Sequence, residues 1–189
     1  RRRTGAVLQQ AGFLAELTVA ETVRMTRALS SRTDDVDDWA SRGAHKLIGA
    51  LDAFGPEGLV VAKRKALDAG ASTGGFTDVL LARGASEVVA VDVGYGQLVW
   101  RLQNDERVRV LDRTNIRNLT PDMMGGPAEL MVGDLSFISL KLVLPALADC
   151  MVDGADMLPM VKPQFEVGKD RLGSGGVVRS PELRAEVTL

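Results

Sequence analysis

The residues best placed to do chemistry are acids that end apolar runs, a glycine-rich turn behind the first of them, and two widely separated lysines. Asp68 closes Lys65-Ala66-Leu67-Asp68, Asp92 closes Glu87-Val88-Val89-Ala90-Val91-Asp92, and Asp112 follows Val108-Arg109-Val110-Leu111. Behind Asp68 come Gly70, Ser72, Thr73 and Gly74, with Gly75 and Phe76 opening the next helix. Three readings compete for this turn. A dinucleotide fingerprint, G-x-G-x-x-G, requires its middle glycine where Ser72 stands, and that glycine lets backbone approach a pyrophosphate. A nucleophile elbow, G-x-S-x-G, matches Gly70 to Gly74, but its triad histidine should follow the serine, and the single histidine, His45, precedes it. The third reading is an S-adenosylmethionine turn, with helix N-terminal amides holding the ligand's carboxylate. Asp68 then sits near the methionine ammonium, Asp92 accepts both ribose hydroxyls, and Asp112 receives the adenine amino group. Acids at three successive strand ends are more specific than the glycines, although strand-end acids also serve simply as helix caps.

The segment that closes the fourth run, Gly133-Asp134-Leu135-Ser136-Phe137, bears on the methyl acceptor. Methylases of exocyclic amines carry Asp or Asn, then Pro-Pro and an aromatic residue, at this point, and this chain does not. Pyrimidine C5 methylation needs a cysteine nucleophile. The one cysteine, Cys150, falls in a helical pattern and reads as a small buried apolar residue. A hydroxyl acceptor instead needs a group to take or orient its proton. Lys46 and Lys162 are candidates, since lysines seldom end buried strands without a partner. With Asp134 they form a Lys-Asp-Lys set from three separate elements.

The elements that must position these residues alternate. The patterns predict helices over 43–54, 75–83, from 97 and over 142–150, and strands over 65–68, 87–92, 108–111, 129–134 and 155–161. Strands alternating with helices mean βαβ units, right-handed crossovers and a doubly wound, mostly parallel α/β sheet. Continuous β-branched runs such as 87–92 suit strands covered on both faces. Residues 1–38 read as a separate N-terminal segment: one or two short helices around Val7, Leu8, Leu14, Leu17, Val23, Met25 and Leu29, then a polar, acidic linker from Ser30 to Asp38. Residues 39–189 read as the catalytic domain, incomplete at its C-terminus, with a glycine-rich loop from Pro163 to Ser180.

The 189 residues are 46% hydrophobic and 25% charged, enough to bury a core, and no run approaches the roughly 18 apolar residues of a membrane helix. With a lone cysteine and no leader pattern, the expectation is a cytoplasmic protein. A net charge of −2 argues mildly against a dedicated nucleic-acid binder.

Several segments together resemble the TlyA family, the hemolysin A-named group of FtsJ-like rRNA 2′-O-methyltransferases. They are Ser41-Arg42-Gly43-Ala44-His45-Lys46-Leu47, Leu67 to Phe76, Val91-Asp92-Val93-Gly94-Tyr95-Gly96-Gln97-Leu98, Asp134-Leu135-Ser136-Phe137-Ile138-Ser139-Leu140 and Val161-Lys162-Pro163-Gln164-Phe165-Glu166. The resemblance implies a class I, Rossmann-like methyltransferase fold, S-adenosylmethionine as cofactor, and cytidine 2′-hydroxyls of small- and large-subunit rRNA as acceptors. Ribosomal RNA or ribosomal subunits are then the partners, with no metal and no membrane. It also implies a Lys-Asp-Lys-Glu tetrad whose first three members match Lys46, Asp134 and Lys162, with the glutamate expected beyond Leu189. The family begins with an S4-type RNA-binding domain, of which residues 1–38 would be a remnant. The alternatives are a SAM-fold module that binds RNA or protein without chemistry, and an NAD-dependent oxidoreductase.

Overall fold

The computed structural model describes residues 39–168, 171–172 and 177–187, and the backbone of two short strands, β1 (Arg3–Thr4) and β2 (Val7–Leu8). The body is a sheet of five longer strands: β3 (Lys65–Ala69), β4 (Glu87–Val91), β5 (Val108–Leu111), β6 (Ala128–Gly133) and β7 (Met151–Val161). They lie in the order β7-β6-β3-β4-β5, and every pairing is parallel. The chain winds outward from β3 through β4 to β5, then returns to the other side of β3 for β6 and β7. The order therefore reverses between β3 and β6, and a crevice opens there beyond the strands' carboxyl ends.

Helices α1 (Ala44–Phe54), α2 (Gly75–Ala82), α3 (Trp100–Gln103) and α4 (Leu140–Asp149) fill the connections, followed by the short helices α5 (Pro163–Glu166) and α6 (Pro181–Glu186). Side chains alternate across each strand, so two cores form. Ala66, Val88, Leu130 and Val132 face Leu47, Val79 and Leu80 of α1 and α2. Leu67, Val89, Val91 and Met131 face Val143 and Leu147 of α4. Such two-sided burial explains why these strands read as continuous apolar runs.

Most expected elements appear with boundaries shifted by a residue or two, while β7 begins four residues before the expected 155 and α3 three residues after the expected 97, and two readings change. Val7 and Leu8, expected in a helix, form β2 and run parallel to Met160 and Val161 at the edge of β7. An open strand edge offers unpaired amides and carbonyls that a neighbouring segment can satisfy, and this outweighs local helical spacing. The expected loop after Lys162 begins with helix α5, with Pro163 at a position where its missing N–H costs nothing. Residues 9–38, with the expected helices and linker, lie outside the described residues, as do 169–170 and 173–176 of the loop. Cys150 is fully buried at the C-cap of α4, and burial, reinforced by Asp149, pushes its thiol up to about 11. It is a packing residue.

Candidate functional site

The turn after β3 is shaped by backbone that few residues tolerate. Gly74 has φ +103°, and a Cβ there would lie 2.8 Å from Leu98 Cδ1 and collide with Leu102. At Gly75, a Cβ would collide with Ser41 Oγ and sit 3.0 Å from Ala44 N. The bare glycine thus lets α2 begin directly against the start of α1, which carries Lys46 to the sheet's carboxyl edge.

Asp92, one residue past β4, binds two backbone amides: Ser72 N at 2.8 Å and Gly94 N at 2.7 Å. It ties the glycine turn to the loop after β4 and faces the crevice between them. A cavity of about 500 Å³ opens there, walled by Gly70, Ser72, Asp92, Asn115, Asp134 and Ser136, among others. Its size is that of a pocket for a nucleoside-scale ligand.

The expected ligand-binding residues divide by position. Gly70, Ser72 and Asp92 line the cavity. Phe76 is packed in the core, Thr73 accepts from Val99 N through its carbonyl at 3.1 Å, and Gly74 and Gly75 serve the α1–α2 contact. Asp112 accepts from Gly96 N at 2.8 Å and is not on the wall, where Asn115 and Ile116 stand instead. Asp68 lies behind the wall, wholly buried. One of its carboxylate oxygens accepts from Thr77 Oγ1 at 2.7 Å, and the other has no hydrogen-bond partner among the described residues. Burial pushes this carboxyl up to about 7, Thr77 pulls it back, and the charges of Asp134 and Asp92 raise it further. A buried carboxyl with one unpartnered oxygen, close enough to Asp134 and Asp92 to feel their charges, makes this side of the cavity a fit for a cationic ligand.

Lys46 and Lys162 meet on Asp134, which lines the cavity. Lys46 Nζ donates to Asp134 Oδ2 at 2.9 Å, and Lys162 Nζ is 2.6 Å from Asp134 Oδ1. Lys162, only 5% exposed, also donates to Ser136 Oγ at 2.7 Å. Burial pushes the Asp134 carboxyl upward, but the hydrogen bonds and charges of Lys162 and Lys46 outweigh it and hold the group below its ordinary range. The carboxylate is therefore ionised between two ammonium groups. No sequence pattern marks Gln97 and Asn115 as wall residues, and none reveals that Ser136 binds Lys162. Among the described residues no cluster of His, Cys, Asp or Glu could hold a metal, and no helix is long and apolar enough to cross a membrane.

A parallel sheet reversing at β3/β6, with acids at its carboxyl edge around a nucleoside-sized cavity, defines the Rossmann-like fold of class I S-adenosylmethionine-dependent methyltransferases. The chain belongs to the FtsJ-like methyltransferase family, whose family model matches residues 39–189. It is 61% identical over 170 residues to the 16S/23S rRNA (cytidine-2′-O)-methyltransferase TlyA of Mycobacterium tuberculosis, a match covering 90% of this chain and 62% of that protein. Two solved structures carrying the hemolysin name are also similar. The Streptococcus thermophilus protein has a TM-score of 0.77 at 46% identity, over 82% of this chain and 55% of its own. The Lactococcus lactis protein has a TM-score of 0.74 at 40% identity, over 79% and 71%. The chain spans less than two thirds of the length of the curated relatives it matches. Family and fold imply S-adenosylmethionine as the methyl donor.

Proposed function

We propose that this chain is the methyltransferase part of an enzyme that transfers a methyl group from S-adenosylmethionine to a ribose 2′-hydroxyl, that of cytidine, in 16S and/or 23S ribosomal RNA. The observation that carries the reading is the Lys46–Asp134–Lys162 cluster, in which Asp134 lines the cavity and both lysines lie within 3 Å of its carboxylate. The identity to the M. tuberculosis enzyme supports the choice of acceptor.

In this reading Asp92 takes the ribose hydroxyls of the donor, and Asp68 lies toward its ammonium. Gly70 and Ser72 form the floor against which the ligand rests. Bound there, S-adenosylmethionine supplies a methyl group activated by a positively charged sulfur. The chain's own work is on the acceptor. A ribose hydroxyl is a poor nucleophile, so its oxygen must be held in line as the O–CH3 bond forms and the CH3–S bond breaks. Its proton must pass to water or to a basic group, and the negative charge that develops as the proton leaves must be stabilised. Asp134, held ionised, fixes two ammonium groups on either side of one point. Lys162, shielded from water and donating to Asp134 and Ser136, turns one N–H from these partners to the acceptor oxygen when the hydroxyl binds. Lys46, on the more open side, balances the carboxylate's charge.

Lys162→Ala removes a contact made to the reacting oxygen, so turnover on ribosomal subunits should fall roughly 100-fold or more, with S-adenosylmethionine affinity nearly unchanged. Lys162→Arg should also fail, since a planar fork does not fit the place of a compact ammonium. Methyl incorporation into subunits, followed by mass spectrometry of nucleosides, reads both. An alanine variant as fast as the wild type would remove Lys162 from the mechanism.

A further inference from the structure

Two segments carry the reactive cluster, and neither is held by its own strand alone. Asp134 and Ser136 belong to the stretch 134–139 between β6 and α4, and Lys162 is the residue before α5. Ordering these segments relative to each other requires contacts between them. Among the described residues, two such contacts join them besides the lysine's own bonds.

The first is at the rim, where the Phe137 and Phe165 rings lie 5.3 Å apart. Phe137 is 92% exposed, so this pair is open to solvent and constrains little. The second is behind the cluster. Glu166, the last residue of α5, accepts from Ser139 Oγ at 2.6 Å through one oxygen and from Leu140 N at 2.8 Å through the other. Ser139 is the N-cap of α4, its hydroxyl accepting from Lys141 N at 3.2 Å, and Leu140 begins that helix. Glu166 therefore grips the start of a ten-residue helix at the end where its amides lack partners and where negative charge is favoured. Both bonds join residues 26 or 27 positions apart.

We infer that Glu166 is a positioning residue that locks the Asp134–Ser136 segment onto Lys162, and so sets the geometry of the cluster without touching the acceptor. The inference rests on the proposed hydroxyl methylation. Its physical basis is local: Glu166 is four residues from Lys162, and Ser139 is five from Asp134. A helical turn on one side and a short extended stretch on the other transmit the grip. Without it, the stretch 134–139 keeps β6, the packing of Leu135 and Ile138 on the core, the open Phe137–Phe165 pair and the lysines' own bonds, but no polar tie joins its far end to the helix that follows Lys162. Geometric precision of this kind governs turnover, because a displacement near 1 Å costs on the order of 100-fold.

The test compares Glu166→Ala with Glu166→Gln in the full chain. Glutamine retains both contacts, with its carbonyl accepting from Leu140 N and its amide donating to Ser139 Oγ, whose hydroxyl turns round. Alanine retains neither. Glu166→Ala should lower kcat roughly 100-fold, leaving KM for ribosomal subunits and S-adenosylmethionine affinity within about twofold. Glu166→Gln should restore kcat to within a few-fold of wild type. The second readout needs no substrate: the side-chain ammonium signal of Lys162 in NMR, slowly exchanging while its hydrogen bonds hold, should be lost in the alanine variant and kept in the glutamine one. Wild-type kcat and an unchanged ammonium signal in Glu166→Ala would overturn the inference. So would a glutamine variant as damaged as alanine, which would make the charge itself the active property. If the wild type transfers no methyl to RNA, the proposed reaction fails, and the ammonium signal still decides whether Glu166 orders the cluster.

Discussion

Asp68 offers the most quantitative check on how the cavity is built. Its carboxyl is wholly buried, and burial pushes it from the ordinary 3.8 up to about 7. In the unfolded chain the same group titrates at its ordinary value, so between about pH 4 and pH 7 the folded protein holds a proton that the unfolded one has released. Stability from this group is fully present below pH 4 and falls as pH rises toward 7, where the buried carboxyl must finally ionise. At about 1.4 kcal/mol for each tenfold change in proton concentration, the loss over that window is on the order of 4 kcal/mol. Asp68→Asn removes the titration while keeping an oxygen to accept from Thr77. Urea unfolding of both proteins at pH 5, 6, 7 and 8 measures the difference, and every other titrating group is common to both and cancels. The wild type should lose stability relative to the variant by about 1.4 kcal/mol per pH unit from 5 to 7, then level off. A difference that stays flat from pH 5 to 8 would mean that the buried oxygen is served by solvent or by a neighbouring cation, and would refute the reasoning. The same ionisation bears on the proposed ligand. An ammonium arriving beside Asp68 favours its charged form, so S-adenosylmethionine should bind more tightly as pH rises through 7 in the wild type and not in Asp68→Asn.

Asp92→Ala should weaken S-adenosylmethionine by about 1–3 kcal/mol in calorimetry, the scale of a lost hydrogen bond to a charged group; unchanged affinity would remove Asp92 from the site. NAD should not bind. Gly74→Ala places a side chain at φ +103° and against Leu98, so it should lower unfolding stability by about 1–3 kcal/mol. An unshifted urea midpoint in that variant would show that the turn relaxes freely.

Much of the fold was legible because burial leaves a local trace. The run Val88 to Val91 is continuously apolar because helices cover both its faces, and Ala44–Phe54 carries its apolar residues at helical spacing because only one face is covered. The acids at strand ends and the Lys-Asp-Lys set were legible for a related reason: charged groups beside buried runs are rare without a purpose or a partner. What each acid binds was not. Asp92 and Asp112 both follow strands and look alike in sequence, yet one faces the cavity between two loops and the other is taken up by Gly96 N. The pairing of Val7 and Leu8 with β7, and the grip of Glu166 on α4, join residues whose separation in sequence says nothing of their distance in space. Periodicity reports which face of an element is covered. Which side chain meets which across the carboxyl edge depends on strand order, crossover direction and the close approach permitted at Gly75, and these exist only once the sheet has assembled.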